Sequence, residues 1–193
     1  MIQEKDAEHC VKNDKIKDAR LVKIWQSLKI FQDFPKPGIK FIDIFPLFQN
    51  PYNFQTLIDF CKEHIINDLK SNIDCIVGVE LRGCLFGVPL ALQLNMPFVA
   101  VRKMGKLPGE VVSQSYGTEY SKECMEMQTS SLIKGWKVLI VDDLLATGGT
   151  ISAATELVRK LGCTPVECLV IIELLSINGR QNVGTDVYSV FEF

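Results

Sequence analysis

Apolar residues recur at helical spacing through Leu21, Ile24, Trp25, Leu28 and Phe31, and this spacing predicts a first helix. Phe34-Pro35-Lys36-Pro37-Gly38 breaks it, since proline removes a backbone donor and glycine frees the chain. An irregular apolar segment over 39–48 follows, and helical spacing returns at Phe54, Leu57, Ile58, Cys61, Ile65 and Leu69. The pattern then alternates: a strand over 73–79, a helix over 85–94 and a strand over 98–101. The stretch 102–109 is basic and glycine-bearing and reads as a mobile loop, and 120–128 reads as extended chain paired with the residues before it. Val138-Leu139-Ile140-Val141 is wholly apolar, as in a central parallel strand covered on both faces. A helix over 150–161 and a strand over 166–174 follow. Strand, helix and strand in alternation imply right-handed crossovers and an α/β doubly wound domain, with the N-terminal segment folded over one edge.

Composition narrows this picture. A chain of 193 residues corresponds to about one domain. Residues 1–20 hold five basic and five acidic side chains and no apolar h-region, so they read as a solvated extension to a single domain over 21–193. With 47% apolar and 23% charged residues, the chain is neither a disordered tail, a collagen-like fibre nor a coiled coil. A net charge of −2 lacks the basic excess of a nucleic-acid binder. The longest stretch without charge, Gly83 to Val101, is broken by Pro89, Gln93, Asn95 and Pro97, so it reads as helix then strand rather than a membrane span. The 7 cysteines are odd in number and include no C-x-x-C pair, which predicts free thiols in a reducing, cytoplasmic setting and no zinc site. His9 and His64 have no serine–carboxylate or second-ligand pattern beside them, which argues against a Ser-His-Asp hydrolase and a multi-histidine metal site.

The most informative segment is Val138-Leu139-Ile140-Val141-Asp142-Asp143-Leu144-Leu145-Ala146-Thr147-Gly148-Gly149-Thr150. A buried strand is expected to end in two carboxylates, then a Thr/Gly loop, then a helix start. Ligands of open α/β sheets bind at the carboxyl ends of strands. Glycines admit a ligand close to the backbone, and a helix N-terminus offers unpaired N–H groups and a favourable dipole. Ala146 to Thr150 should therefore hold a phosphate, with Thr147 and Thr150 adding hydroxyls. Two carboxylates beside a phosphate make sense if they accept bonds from sugar hydroxyls or face a magnesium ion. The expected ligand is a ribose carrying a 5′-phosphate. Rival phosphate loops fail: no G-x-G-x-x-G occurs, and Gly78 to Gly83 has the Walker spacing but places Cys84 where lysine is required.

This segment resembles the phosphoribosyl-pyrophosphate signature of type I phosphoribosyltransferases at every position. Four further segments resemble adenine phosphoribosyltransferases in family order: 34–44 the base-binding segment, 78–83 the pyrophosphate loop, 102–109 the flexible loop and 115–120 the catalytic loop. The resemblance spans about residues 21–180. It implies a central, mostly parallel sheet flanked by helices, a hood over 34–48 and a flexible loop. The reaction it implies is adenine plus phosphoribosyl pyrophosphate giving AMP and pyrophosphate, in purine salvage. It also implies Mg2+ carried mainly by pyrophosphate and ribose oxygens, with Asp142 and Asp143 nearby and no direct protein ligand. A homodimer is implied as well, with a basic residue near Arg102 approaching the partner's site.

By the same resemblance, Glu119 is the catalytic acid/base or electrostatic residue, next to Tyr120 in the substrate-binding loop. Arg82 reaches the pyrophosphate, and Arg102, Lys103 and Lys106 help neutralise it. Adenine is recognised by backbone groups of Lys40 and Ile42 and stacked between Phe41 and Leu144, while Ala146, Thr147, Gly148, Gly149 and Thr150 hold the phosphate. A cis peptide bond is implied at the Arg82 turn. The chain departs from the family at Ile42 (commonly Arg), Leu81 (a small residue), Cys84 (an aromatic) and Met104 (often basic). None of these carries the chemistry, but Leu81 could crowd the pyrophosphate loop. Two other readings stand beside this one: a binding or regulatory protein on the same fold, and a transferase for another base such as hypoxanthine or guanine.

Overall fold

A computed structural model describes residues 18–69, 72–118 and 121–193. The chain divides into two compact units: one runs to Glu63 and includes Glu192, and the other runs from His64 to Phe191 and includes Phe193.

In the first unit, helix α1 (Ala19–Ser27) is capped by Asp18, whose carboxylate accepts the Arg20 N–H at 2.9 Å. Leu21, Ile24 and Trp25 form its buried face. The expected continuation through Leu28 and Phe31 does not occur. Leu28 is extended, and Lys29–Phe31 forms strand β1, paired antiparallel with β2 (Phe41–Asp43) so that Ile30 faces Ile42. The strand partner satisfies backbone groups that another helical turn would have used, and it leaves Phe31 exposed. The segment read as irregular thus contains β2 and a short helix α2 (Phe45–Phe48). Helix α3 (Pro51–Asp68), whose residues from His64 on belong to the second unit, opens with proline at its first position, and the Asn50 side chain accepts the N–H groups of Tyr52 and Asn53 at 3.1 and 3.2 Å.

The second unit is built on seven strands: β3 (Cys75–Val79), β4 (Phe98–Lys103), β5 (Val111–Thr118), β6 (Ser121–Gln128), β7 (Lys137–Leu145), β8 (Thr164–Glu173) and β9 (Val187–Glu192). Their order is β5-β6-β4-β3-β7-β8-β9. The pairs β3–β4, β3–β7 and β7–β8 are parallel, and β4–β6 and β5–β6 are antiparallel. Helix α4 (Arg82–Leu94) connects β3 to β4, and α5 (Gly149–Lys160) connects β7 to β8.

Alternation along the strands gives each helix its own face. Cys75, Val77 and Val79 of β3 and Val138 and Ile140 of β7 share a core with Ile151, Ala154, Leu157 and Val158 of α5. The opposite face of β3 meets α4, where Gly87 lies beside Ile76 and Cys84 beside Gly78.

Several elements differ from the sequence reading, helix α4 among them, which begins at Arg82 rather than 85. Strand β4 runs on to Lys103, because Arg102 and Lys103 pair with Glu126 and Met125 of β6. Arg102 and Lys103 are therefore strand residues, and the connection starts at Met104. Strand β7 continues to Leu145, paired to Glu173, so the strand runs two residues beyond the acidic pair in which it was expected to end. Strand β9 was not anticipated: Ser189, Val190 and Phe191 are buried consecutively, so the period-two signal is absent.

Candidate active site

The carboxyl ends of the parallel neighbours β3 and β7 lie side by side, where ligands of open α/β sheets bind. They frame a cleft of about 230 Å³. Glu80, Leu81 and Arg82 come from the β3–α4 turn, Asp142, Asp143 and Leu144 from the end of β7, and Ala146 to Ile151 from the loop and first turn of α5. The expected phosphate, ribose and pyrophosphate groups of residues thus meet on one surface. Leu81 stands 62% exposed at this cleft, and the Glu80–Leu81 bond is cis, as the resemblance implied.

The loop into α5 has the features of an anion site. Gly148 has φ +82°, a conformation in which a Cβ is strained, and it is the N-cap residue of α5 without a side-chain cap. The first N–H groups of α5 are therefore free of a capping side chain and stand at the positive end of the helix dipole. Arg159 and Lys160 complement the opposite end. The Tyr116 ring, from β5, lies over Gly149, and its hydroxyl donates to Glu123 and bonds to the Thr150 side chain. Burial and the Glu123 carboxylate raise the Tyr116 pKa.

The acidic pair is asymmetric. Asp143 is buried, and its Oδ2 lies 2.9 Å from Arg82 Nε. Burial raises its carboxyl pKa, and Arg82 opposes the rise. Asp142 Oδ1 accepts the Asp143 N–H at 2.9 Å. Burial, then the charge of Asp143, pushes the Asp142 carboxyl well above the usual range. Arg82 does not stand alone at the turn: it is ion-paired with Asp143.

Glu80, to which sequence reasoning gave no role, collects the basic strand end. Its carboxylate accepts Arg102 Nη2 at 3.0 Å and the Lys103 N–H at 2.9 Å. The Arg102 partner lowers the Glu80 pKa. Arg102 Nη1 donates to the Lys106 carbonyl at 3.0 Å, and Lys103 Nζ lies 3.6 Å from Glu123. Arg102, Lys103 and Lys106 are not among the residues lining the cleft.

Gly179 and Asn182, also unforeseen, touch the loop before α5 from a 3₁₀ turn, with Asn182 Nδ2 donating to the Thr147 carbonyl at 2.9 Å. They lie more than thirty positions along the chain, and no local spacing marks them. Lys40, Phe41 and Ile42 belong to the first unit, where the Phe41 ring meets Phe34 edge-on at 5.0 Å and Ile42 is buried. Glu119 and Tyr120 lie outside the described residues. Among the described residues, no cluster of three or more His, Cys, Asp or Glu could hold a metal. Six cysteines there are free thiols, and burial pushes Cys61, Cys75 and Cys168 up to about 12. No helix among the described residues is long and apolar enough to cross a membrane.

Residues 47–192 match the phosphoribosyl transferase domain family. The chain is 44% identical over 168 residues to the adenine phosphoribosyltransferase of Cricetulus griseus, covering 87% of this chain and 93% of that protein. The crystal structure of the Saccharomyces cerevisiae adenine phosphoribosyltransferase, complexed with an imino-altritol bisphosphate and adenine, superposes with a TM-score of 0.86 at 41% identity. That match covers 89% of this chain and 98% of the yeast chain. The Trypanosoma brucei adenine phosphoribosyl transferase, in complex with AMP, pyrophosphate and ribose-5-phosphate, gives a TM-score of 0.83 at 30% identity, covering 91% of this chain and 81% of that one. With the β3–α4 turn, the acidic end of β7 and the glycine loop before α5 converging on one cleft, and with these relatives, the chain belongs to the adenine phosphoribosyltransferase family.

Proposed function

We propose that this protein transfers the 5-phosphoribosyl group from phosphoribosyl pyrophosphate to adenine, giving AMP and pyrophosphate, a purine salvage reaction. The observation that carries the reading is the single cleft that joins the β3–α4 turn, the acidic end of β7 and the N-terminus of α5. The 5′-phosphate takes the N–H groups and hydroxyls of Ala146 to Thr150. Asp142 and Asp143 accept the ribose hydroxyls. Arg82 turns from Asp143 towards the pyrophosphate, and Arg102, Lys103 and Lys106 add positive charge from β4 and the loop after it. The resemblance assigns adenine recognition to backbone groups of Lys40 and Ile42 and to the side chains of Phe41 and Leu144.

A bond forms between an adenine ring nitrogen and ribose C1 as the bond from C1 to the pyrophosphate oxygen breaks. Positive charge develops on the ribose ring in the transition state. Glu119, beside Tyr120, stabilises that charge and takes the proton released by the base. Fixed positioning and exclusion of water supply the rest.

Asp142 and Asp143, buried at the acidic end of β7, would lie near a magnesium ion carried mainly by the pyrophosphate and ribose oxygens. When bound, Mg2+ would offset pyrophosphate charge near Asp142 and Asp143. The free thiols support a reducing compartment, the cytoplasm. A homodimer is supported by α4, where Val88 and Leu92 are 41% and 77% exposed and continue a line from Leu81.

The test is pyrophosphate release with adenine, hypoxanthine and guanine in parallel, with and without magnesium. Release with adenine alone, dependent on magnesium, is expected. Glu119→Gln should lose ~10²-fold or more in kcat while remaining folded. Tight AMP binding without turnover would favour a binding protein instead, and near-normal turnover in Glu119→Gln would remove that residue from the mechanism.

A further inference from the structure

We propose that Asn182 is a positioning residue for the 5′-phosphate, acting through the backbone of the loop before α5. The inference rests on the reading of that loop as the phosphate site, and it adds an element to it: the 3₁₀ turn Gly179–Asn182 as the back wall of the site.

The contact between turn and loop is backbone against backbone. A Cβ on Gly179 would stand 1.9 Å from the Ala146 carbonyl oxygen and 2.8 Å from the Thr147 carbonyl carbon, so only glycine fits. A Cβ on Gly148 would stand 2.5 Å from the Gly179 oxygen and 3.3 Å from Asn182 Cβ. Asn182 closes this contact, its Nδ2 donating to the Thr147 oxygen at 2.9 Å. The turn is itself anchored, as Arg180 pairs with the buried Glu173 and donates to the Val187 carbonyl at 2.6 Å.

This arrangement orients the loop's dipoles. The Thr147 carbonyl accepts the Asn182 amide, and the Ala146 carbonyl oxygen faces Gly179 so closely that a Cβ there would stand 1.9 Å from it. Across a trans peptide the next N–H points the opposite way. The N–H groups of Thr147 and Gly148 are thereby directed away from the turn, in two residues that line the cleft. A phosphate attracts N–H dipoles and repels carbonyl dipoles. If Thr147 lost its partner, its peptide could rotate and present the carbonyl to the phosphate. The Asn182 amide donor removes that alternative. A carboxylate of the same shape would offer the carbonyl only acceptors.

The test compares Asn182→Ala and Asn182→Asp with wild type, by AMP titration calorimetry and by kcat and KM for each substrate. Asn182 is exposed, so neither change opens a core cavity. Asn182→Ala should weaken AMP binding and raise the KM for phosphoribosyl pyrophosphate by about 3- to 10-fold, the effect of one neutral hydrogen bond. Asn182→Asp should be worse than Asn182→Ala on both. The adenine KM and kcat should stay within about twofold of wild type, since no adenine contact or reacting atom is touched. AMP affinity within twofold of wild type in Asn182→Ala overturns the proposal, as does an aspartate no worse than alanine. Wild-type turnover reports on the proposed reaction, and the ratio of variant to wild-type AMP affinity reports on Asn182, so the two fail separately.

Discussion

Asp142 is 8% exposed and has a second buried carboxylate as its chain neighbour, yet the nearest cation, Arg82, sits on Asp143. Burial, then the charge of Asp143, raises its pKa well above the carboxylate range. The native state therefore holds this proton more tightly than the unfolded chain does. Stability is lost as pH rises from about 3.8 through the raised native value, and at neutral pH the charged group is a net liability to folding. Asn at this position keeps an oxygen for the Asp143 N–H and removes the charge. Asp142→Asn should therefore raise the melting temperature at pH 7 by about 2–4 °C for each 1 kcal/mol of relieved repulsion, and the gain should vanish near pH 3. The same variant should lose about tenfold or more in kcat/KM for phosphoribosyl pyrophosphate, because a ribose acceptor is lost. Melting and steady-state kinetics on one preparation check both arms; a variant that melts lower, or that keeps full activity, contradicts the assignment.

At the scale of elements, α4 presents an inner face to β3 and an outer face to solvent. Its N-terminal Arg82 lines the cleft, and its inner face packs on β3. Leu81, Val88 and Leu92 lie at i, i+7 and i+11, on one side of the helix, and are 62%, 41% and 77% exposed. A second copy of the chain is the proposed cover for that side. Leu92→Glu should shift the protein from dimer to monomer in sedimentation equilibrium while its melting temperature stays close to wild type. A wild-type monomer at tens of micromolar, or a dimer unmoved by the charge, argues against this face. The elements also explain what sequence could reveal. The loop between β7 and α5 was legible because its parts are consecutive: strand, acidic pair, glycines and helix start occupy thirteen adjacent positions. The β3–α4–β4 and β7–α5–β8 crossovers were legible from their alternation. Strands β1 and β9 were not, since a three-residue strand has no measurable period and β9 buries consecutive residues. Glu80 and Asn182 acquire their partners only by folding: Glu80 meets Arg102 across 22 positions, and Asn182 meets Thr147 across 35.

For the molecule as a whole, a buried histidine couples distant parts of the chain. His64, on α3, places Nε2 at 2.7 Å from Glu167 on β8 and Nδ1 at 2.6 Å from Asp68 one helical turn on. Tyr188 of β9 stacks on the ring, with centroids 3.4 Å apart. Burial disfavours the charged imidazole, but the two carboxylates outweigh it, Glu167 first, and the pKa rises above 6.5. The sign follows directly. A group whose native pKa is raised contributes its full stabilisation below the unfolded value and loses it as pH climbs through the native one. The difference in melting temperature between wild type and His64→Gln should therefore be widest near pH 6 and shrink towards pH 9. Glu167→Gln should flatten that dependence, because it removes the buried counter-charge, whereas Asp68 is exposed. None of His64, Asp68, Glu167 or Tyr188 lines the cleft, so thermal melts across pH, rather than turnover, isolate the effect. A gap that stays constant from pH 6 to pH 9 would mean that His64 contributes packing and neutral hydrogen bonds alone, with its charge irrelevant to stability.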